Sequence, residues 1–380
     1  MKKYTALIII FEVLFLGSTG FCGNKRLPPA EKAGTDFKIG QMLMVGFRGN
    51  DVNSTSIISK DIRNRNVGGV VLFDYDYILK IPRNITSPVQ LRRLTEKLQK
   101  LTPYPLLIAI DQEGGSICRL NETNGFERAS SAKYLGVMND LSLTYKEASK
   151  TARQLSQMGV SLNFAPVVDL DLNPNNPVIG GRERSFSADP NIVTAHAIKF
   201  IEAHREQGVL CAIKHFPGHG SSFADSHFGF VDVTKTWQPI ELKPYEEIIK
   251  MGLANAVMTA HVFNTDLDAN NCATLSKPIV TGLLREKIGF NGVVISDCIN
   301  MQAISANYSF EEAMRHAIDA GVDIILISNN MVYDEDAAAR AVATIKKLLK
   351  NGQITQHRID KSYERIRKLK SKTTKQTARN

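Results

Sequence analysis

The chain has 380 residues, 43% of them hydrophobic and 22% charged, a composition typical of a soluble globular protein that excludes a disordered chain or an integral membrane protein. The formal net charge is +9, but seven of the positive charges lie in the last sixteen residues, 365–380, with no acidic residue among them. The rest of the chain is therefore nearly neutral, and nothing in it indicates a nucleic-acid partner.

The N-terminus has the pattern of a secretory signal peptide. Two lysines precede an apolar run at 6–16, and small residues follow it up to Cys22. The run is too short for a comfortable membrane span, so we expect an exported protein, periplasmic or extracellular, with residues 1–22 as its signal. Cys22 is also a candidate for lipid attachment as in a membrane-anchored lipoprotein, although Phe21 before it is unusual for such a site. Ordinary cleavage is the alternative.

Eight short apolar runs alternate with amphipathic segments along the body of the chain. The runs are Leu43–Phe47, Gly69–Phe73, Leu106–Ile110, Ser161–Val168, Val209–Ile213, Ala256–Thr259, Val293–Ile295 and Asp323–Ile327. Strands that alternate regularly with helices predict an α/β fold with a single (β/α)8 TIM-like barrel, and a doubly wound open sheet is the competing arrangement.

The barrel is predicted to form one domain, because no stretch rich in proline, glycine or serine divides it. We place a linker at 23–35, the barrel at 36–364 and a basic tail at 365–380. The tail is expected to be a helix end that frays into solvent, with contact to an anionic polymer or membrane surface as the alternative. A monomer is the expected oligomeric state.

Polar residues follow directly after five of the apolar runs. In a TIM barrel the functional groups lie where strands end, at the C-terminal face. The residues at these positions are Asp111, Asp169, Lys214, His215, His261 and Asp297. Acids and histidines are costly to bury without a purpose. We therefore expect the site at this face, where Asp111, Arg184, Lys214 and His215 could bind sugar hydroxyls or form structural ion pairs.

Asp297 is the candidate nucleophile. It closes a very apolar strand, so its side chain is expected to point into the mouth of the barrel, where a carboxylate can attack an anomeric carbon. The alternative is an aspartate that caps the next helix, which is a common use of this residue after a strand.

The loop at 214–228 holds the candidate acid/base. Asp225 lies two residues before His227 and can orient its ring and stabilise the protonated form, and an ordinary histidine pKa of about 6.5 suits proton transfer near neutral pH. An accidental surface pair is the plain alternative. The histidines of this loop could also suggest a metal site. Pro217 and its neighbouring glycines break any helix there, so no pair of ligands on one helical face is defined, and neither a metal nor another cofactor is expected.

Several stretches of sequence around these candidate residues resemble the β-N-acetylglucosaminidase branch of glycoside hydrolase family 3. The most specific one is K-H-F-P-G-H-G-S-S-F-A-D-S-H at 214–227. The others, in family order, are A-I-D-Q-E-G-G at 109–115, N-F-A-P-V-V-D-L-D at 163–171, N-P-V-I-G at 176–180, R-S-F-S at 184–187, M-T-A-H-V at 258–262 and V-I-S-D-x-x-x-M at 294–301. Together they cover nearly the whole predicted barrel.

The resemblance implies roles for individual positions. Asp297 matches the nucleophile that forms a glycosyl-enzyme intermediate, and His227, oriented by Asp225, matches the acid/base. The positions that match residues holding the sugar are Asp111, Arg119, Arg184, Lys214 and His215. The implied activity is a retaining, exo-acting hydrolysis of terminal β-linked N-acetylglucosamine from peptidoglycan fragments or chitin-type oligosaccharides, without a cofactor.

The sequence departs from the family pattern at four places. Cys298 stands where a second aspartate is usual, Ser116 where arginine is common, and Cys272 where proline is usual. A slightly longer loop before Arg184 makes Arg182 a rival for the sugar contact. Phosphorolysis, a β-glucosidase of the same family and an inactive wall-binding protein are the alternative functions.

Overall fold

The computed structural model describes residues 25–376, with side chains as far as Thr373. The predicted signal segment and Cys22 therefore lie outside the described residues. Within the described range, no helix combines the length and the apolar character needed to cross a membrane.

Eight parallel strands form the centre of the molecule. They are β1 Leu43–Gly46, β2 Gly69–Val71, β3 Leu107–Ile110, β4 Leu162–Asn163, β5 Leu210–Phe216, β6 Ala256–Thr259, β7 Val293–Ile295 and β8 Ile325–Ile327. Consecutive strands pair from β1 to β7, β8 pairs with β1, and a parallel bridge between Ile295 and Ile324 joins β7 to the start of β8. The ring of strands is thus nearly closed, and the predicted TIM-like barrel is confirmed.

Strand β4 is much shorter than the predicted run Ser161–Val168. The side-chain amide of Asn163 exchanges two hydrogen bonds of 3.0 Å with the backbone of Gln112, in the place of ladder bonds between main chains. Pro166 has no N–H to donate to the neighbouring strand. Regular pairing therefore stops after Asn163 and resumes as a single bridge between Val167 and Lys214.

Helices cover the outside of the barrel. They are α1 Thr35–Gln41, α2 Ile57–Arg65, α3 Pro88–Gln99, α4 Ala132–Met138, α5 Leu141–Gln157, α6 Pro190–Glu206, α7 Lys243–Lys250, α8 Gln302–Ser305, α9 Phe310–Ala320, α10 Ala337–Lys350 and α11 Gln356–Gln376, with a π-helix at Pro278–Lys287. Short 3₁₀ turns lie at Ala30–Lys32, Glu122–Asn124, Gly180–Arg182, Pro239–Leu242 and Ala273–Leu275. Since helices cover the sheet, the strand residues are buried and the strands consist mostly of apolar residues.

Two short antiparallel hairpins leave the barrel at its C-terminal face. One pairs Tyr75–Asp76 with Ile81–Pro82 after β2, and the other pairs Gln112–Gly114 with Ile117–Cys118 after β3. Both hairpins lie in the loops that surround the mouth of the barrel, where they extend the wall of the central cavity.

Helix α11 runs across the predicted boundary at residue 364, so the basic segment is not a frayed tail as far as the structure describes it. Ile366 and Leu369 are buried, and Lys370 donates hydrogen bonds of 2.7 Å to Gln41 and to the Gly68 carbonyl. Lysine and arginine can bury their stems while their charged ends find polar partners, so a basic run does not exclude a packed helix.

The described part of the predicted linker also packs against α11. Leu27 is buried, the hydroxyl of Tyr363 donates to the Pro28 carbonyl at 2.7 Å, and the Ala30 N–H donates to Glu364 at 2.9 Å. Residues 27–32 therefore form part of the folded body, where the sequence predicted a connecting segment.

Asp323 holds the N-terminal end of the barrel together. Its fully buried carboxylate accepts hydrogen bonds from Arg285 at 2.6 Å, the Val294 N–H at 3.0 Å and Ser362 at 2.8 Å, and Arg358 and Arg365 lie within 3.3 Å. Burial opposes ionisation, but the three guanidinium groups outweigh it and lower the pKa of Asp323. One carboxylate thus links the π-helix, α11 and the last two strands.

We predict that Asp323→Ala lowers the free energy of unfolding by about 3–5 kcal/mol near neutral pH, because three arginines lose a buried partner. Urea titration measures the change. Since the pKa of Asp323 is lowered in the folded protein, its contribution is present above the ordinary carboxyl range and is lost as the pH falls, so the deficit of the variant should shrink in acid.

The control for this prediction is Asp36→Ala. Asp36 pairs with Lys346 at 2.9 Å on the surface, where both side chains are largely exposed, so the expected loss is below about 1 kcal/mol. Equal losses in the two variants would show that Asp323 is not a central support of the fold.

Candidate active site

A cavity of about 380 Å³ opens at the C-terminal ends of the barrel strands. All eight candidate site residues from the sequence line this one cavity. They are Asp111, Arg119, Arg184, Lys214, His215, Asp225, His227 and Asp297. The structure thus brings together side chains that are up to 186 positions apart, from Asp111 to Asp297.

The floor of the cavity is a buried ion cluster centred on Glu113. The Lys214 Nζ lies 2.7 Å from Asp111 and 2.7 Å from Glu113, and the Arg184 guanidinium makes two bonds to Glu113 at 2.7 and 2.8 Å. Burial raises the pKa of Glu113, but the charges of Arg184 and Lys214 outweigh it and hold the pKa well below its usual range. Burial lowers the pKa of Lys214, but the negative charges of Asp111 and Glu113 outweigh burial and raise that pKa. Glu113 and Lys214 are therefore both ionised near neutral pH.

Glu113 was missed as a site residue from the sequence. The available signal was its spacing, because residues 111 and 113 are two apart in an extended segment and so lie on one side of it. Its partners come from other loops, which the sequence alone does not place beside it.

Arg184, and not its rival Arg182, reaches the floor. Arg184 is buried and also donates to the Val178 carbonyl at 3.0 Å, while Arg182 is exposed at the rim. Glu113 therefore selects between the two arginines by binding the one that the loop delivers to the interior.

His215 is oriented by Asp169, which the sequence placed at the C-terminal face of the barrel without indicating its role. The His215 Nδ1 lies 2.7 Å from the Asp169 carboxylate, and the backbone N–H groups of His215 and His219 also approach that carboxylate. This pairing assigns the proton to Nδ1 and leaves Nε2 to accept from Arg184 at 3.2 Å. The position of Asp169 directly after the predicted run Ser161–Val168 was the only sequence signal.

Arg119 is held more loosely than the cluster on the floor. Its guanidinium nitrogens lie 3.8 Å from Asp74 and 4.0 Å from Asp111, and its buried Nε has no hydrogen-bond partner among the described residues. The guanidinium faces the Phe73 ring with 5.6 Å between its central carbon and the ring centroid. Arg119 therefore has N–H donors available for a ligand.

Asp225 and His227, the candidate acid/base pair, lie in one loop and are hydrogen-bonded to each other. The His227 Nδ1 and its backbone N–H lie 2.7 and 2.9 Å from the same Asp225 oxygen, and the ring is partly exposed to the cavity. Burial opposes the charge on His227, but the hydrogen bond to Asp225 and the charge of Asp297 raise its pKa. The pKa of Asp225 is lowered to about 2, because bonding to His227 outweighs burial.

His219 supports this loop from inside the protein. It is fully buried between the hydroxyls of Ser222 at 2.9 Å and Ser226 at 3.2 Å, and burial lowers its pKa to about 4. The Asn176 amide donates to the carbonyls of His219 and Gly220, which fixes the start of the loop. His219 is therefore a neutral structural residue, although it lies only eight positions from His227.

Asp297 presents its carboxylate to the cavity from the end of β7. It accepts a hydrogen bond from the Cys298 N–H at 2.6 Å and does not cap a helix, because α8 begins at Gln302 with Met301 as its N-cap residue. Burial opposes its ionisation, but the histidines around it, led by His261, lower its pKa. The carboxylate is thus ionised near neutral pH, as a nucleophile requires.

Comparison with known proteins identifies the family. The family model described as the glycosyl hydrolase family 3 N terminal domain matches residues 34–369. A beta-hexosaminidase A from Pseudoalteromonas piscicida is 34% identical over 351 residues, which cover 84% of this chain and 56% of that protein. A beta-hexosaminidase from Tolumonas auensis is 36% identical over 274 residues, which cover 71% and 78%.

Solved structures agree with the family match. A glycoside hydrolase family 3 beta-N-acetylglucosaminidase from Paenibacillus sp. superposes with a TM-score of 0.82 at 34% identity, covering 90% of this chain and 63% of that one. A beta-N-acetylhexosaminidase from Beutenbergia cavernae superposes with a TM-score of 0.80 at 28% identity, covering 90% and 99%. The chain spans little more than half of the Pseudoalteromonas protein and under two thirds of the Paenibacillus one. Because the family model matches most of its length, the chain belongs to glycoside hydrolase family 3.

Proposed function

We propose that the protein is a retaining, exo-acting β-N-acetylglucosaminidase that hydrolyses terminal β-linked N-acetylglucosamine from peptidoglycan fragments or chitin-type oligosaccharides. The observation that carries this proposal is the presence, in one cavity, of an ionised carboxylate, Asp297, and a histidine oriented by a carboxylate, His227. The names of the relatives, beta-hexosaminidase and beta-N-acetylglucosaminidase, support the activity and the substrate class.

In the first step an oxygen of Asp297 attacks the anomeric carbon while the bond from that carbon to the leaving oxygen breaks. The protonated His227 gives its Nε2 proton to the leaving oxygen, so the leaving group departs as a neutral alcohol. The hydrogen bond to Asp225 and the charge of Asp297 raise the pKa of His227, which favours the protonated form that an acid needs. The sugar remains joined to Asp297 as an ester.

In the second step the neutral His227 takes a proton from water, and the water oxygen attacks the same anomeric carbon. The ester bond breaks, the Asp297 carboxylate is released, and the sugar leaves with the configuration that it had in the substrate. Two displacements at one carbon give net retention. His227 ends the cycle protonated, which restores the starting state.

Using a histidine in place of a second carboxylate has a physical advantage. Two carboxylates close together raise each other's pKa, because the anions repel. Once the proton has been transferred, His227 is neutral and adds no negative charge beside Asp297. Asp225 remains negatively charged throughout, because its pKa is about 2, and its charge favours the return of a proton to His227.

The floor of the cavity supports recognition of a terminal sugar. Asp111, Lys214 and Arg184 offer acceptors and donors whose positions are fixed by Glu113, and Arg119 offers N–H groups that have no close partner. Preorganised polar groups bind hydroxyls without a further ordering cost. Exo action is the mode of cleavage that fits a cavity in which this polar cluster binds one terminal sugar ring.

We predict that the mature protein hydrolyses an aryl β-N-acetylglucosaminide and not the matching aryl β-glucoside. His227→Ala should lower kcat/KM by about 10²–10⁴ because it removes the proton donor, and Asp297→Ala should lower it at least as far. His357→Ala, an exposed histidine on α11, is the matched control and should retain full activity. A preference for the glucoside, or full activity in His227→Ala, would refute the assignment.

Added phosphate should leave free sugar as the product, whereas a sugar phosphate would identify a phosphorylase.

We predict that Asp225→Asn moves the alkaline limb of the kcat/KM profile to lower pH. The pKa of His227 is raised in part by Asp225, so its protonated form is lost at lower pH once that carboxylate is gone. The loss of activity should therefore be larger on the alkaline side of the profile than on the acid side. Asp232→Asn, an exposed aspartate beyond the same loop, should leave the limb in place. An unmoved limb in Asp225→Asn would show that another group is the acid.

We further propose that the protein is exported and held at a membrane by a lipid on Cys22. The support is the basic start, the apolar run at 6–16 and the small residues before the cysteine. In a bacterial host the full chain should appear in the membrane fraction and be released by detergent, while Cys22→Ser should be soluble outside the cytoplasm. A soluble wild type would refute anchoring, and a cytoplasmic one would refute export.

A further inference from the structure

The outer part of the cavity is apolar on one side, in contrast to its charged floor. Tyr75 and Tyr77 come from the hairpin after β2, and Met331 and Val332 come from the loop after β8. All four side chains line the cavity, yet they are between 38% and 56% exposed. We call these four residues the mouth wall. Large apolar side chains that are exposed together beside a cavity indicate a surface that a bound ligand covers.

The mouth wall is held in place by buried polar bonds. The side-chain oxygen of Asn330 accepts a hydrogen bond from the Tyr77 N–H at 3.3 Å and another from Arg83 at 2.7 Å. These bonds join the hairpin to the loop after β8. Arg83 is buried and also donates to the Phe47 carbonyl at 2.8 Å. Asp76, between the two tyrosines, is fixed by Arg48 at 2.8 Å. The two tyrosines therefore extend from an ordered backbone.

The chemistry of the proposed reaction fixes which part of a substrate reaches the mouth wall. The hydroxyls of the terminal sugar are satisfied at the floor by the ion cluster around Glu113. The leaving oxygen must lie beside His227, which is in the rim, and the next residue of the rim, Phe228, is 64% exposed and lines the cavity as well. The leaving group therefore lies in the outer part of the cavity, whose lining includes both Phe228 and the mouth wall.

We propose that the mouth wall is the binding subsite for the leaving group and that it takes a pyranose ring, so that substrates with a second sugar are preferred. This inference rests on the proposed function. A pyranose has one face of C–H groups and a rim of hydroxyls, and a tyrosine offers an apolar ring with a polar tip. The centroids of the Tyr75 and Tyr77 rings lie 6.3 Å apart with the ring planes at 80°, so the two rings pack edge to face beside the cavity.

The test compares two substrates that share the terminal sugar. One is the β-1,4-linked disaccharide of N-acetylglucosamine, and the other is its 2,2,2-trifluoroethyl β-glycoside, whose leaving group has similar acidity but no ring. Tyr77→Ala should lower kcat/KM for the disaccharide by about 5- to 50-fold and leave the trifluoroethyl glycoside within about twofold, since stacking is lost only where a ring leaves. Tyr75→Ala should act in the same direction.

Leu79→Ala is the matched control. Leu79 belongs to the same hairpin and is 49% exposed, but it does not line the cavity, so its loss should change neither substrate. All three positions are at the surface, and circular dichroism checks that each variant is folded.

Each other outcome overturns the inference in a distinct way. An equal loss on both substrates would mean that the tyrosines only shape the cavity. No loss in either tyrosine variant would mean that the mouth wall contacts something other than the leaving group, while hydrolysis of both substrates by the wild type would leave the proposed function intact. If the wild type cleaves neither substrate, the proposed function fails, and this inference fails with it.

Discussion

The contact between Glu113 and its two cationic partners determines the rest of the site. Glu113 lies in the hairpin after β3, Lys214 lies on β5, and Arg184 belongs to the loop between β4 and α6. A carboxylate buried without partners would cost several kcal/mol and would take up a proton instead. The cluster is stable only when all three segments are in place, so the ion pairs align the loops that the chemistry uses.

The dependence continues outward from this cluster. Arg184 reaches the Nε2 of His215, and Asp169 holds the other side of that ring and the backbone of His219. His219 in turn supports the loop that carries His227. The order of support therefore runs from the buried ion cluster to the partly exposed Asp225–His227 pair. The proposed proton transfer would thus take place at a part of the site that is open to solvent.

Much of the fold follows from the sequence, because the pattern of apolar runs and helices determines a barrel and the barrel brings strand ends together. Asp111, Lys214 and Asp297 could be placed in one site for that reason alone. The roles of Glu113 and Asp169 could not be predicted, since they depend on which side chain from another loop meets them. Charge and spacing identify a candidate, and only the packed loops identify its partner.

Two local differences have equally specific causes. The end of β4 depends on a side chain, Asn163, that replaces backbone bonds, and no strand propensity describes such a substitution. The extent of α11 depends on Lys370 finding the Gln41 side chain and the Gly68 carbonyl, so a segment with only basic charges is packed where composition suggested solvent. In both places hydrogen-bonding partners that are distant in sequence outweigh the local pattern.

The two histidines of one loop show how burial assigns roles to identical groups. His219 is enclosed by two serine hydroxyls, and its pKa falls to about 4, whereas His227 faces two carboxylates, and its pKa rises. A motif that counts histidines cannot separate them. The difference lies in what surrounds each ring, and the chain sets it by anchoring the first half of the loop and leaving the second half at the rim.

The pairing of Asp225 with His227 is contained within three consecutive residues. The carboxylate that orients the imidazole therefore belongs to the same loop, and the pair needs no second segment to form. The cavity thus combines the ion cluster around Glu113, which several segments of the chain build together, with a pair that one loop supplies complete. A change in the length or sequence of that loop outside the pair leaves the contacts of Glu113 in place.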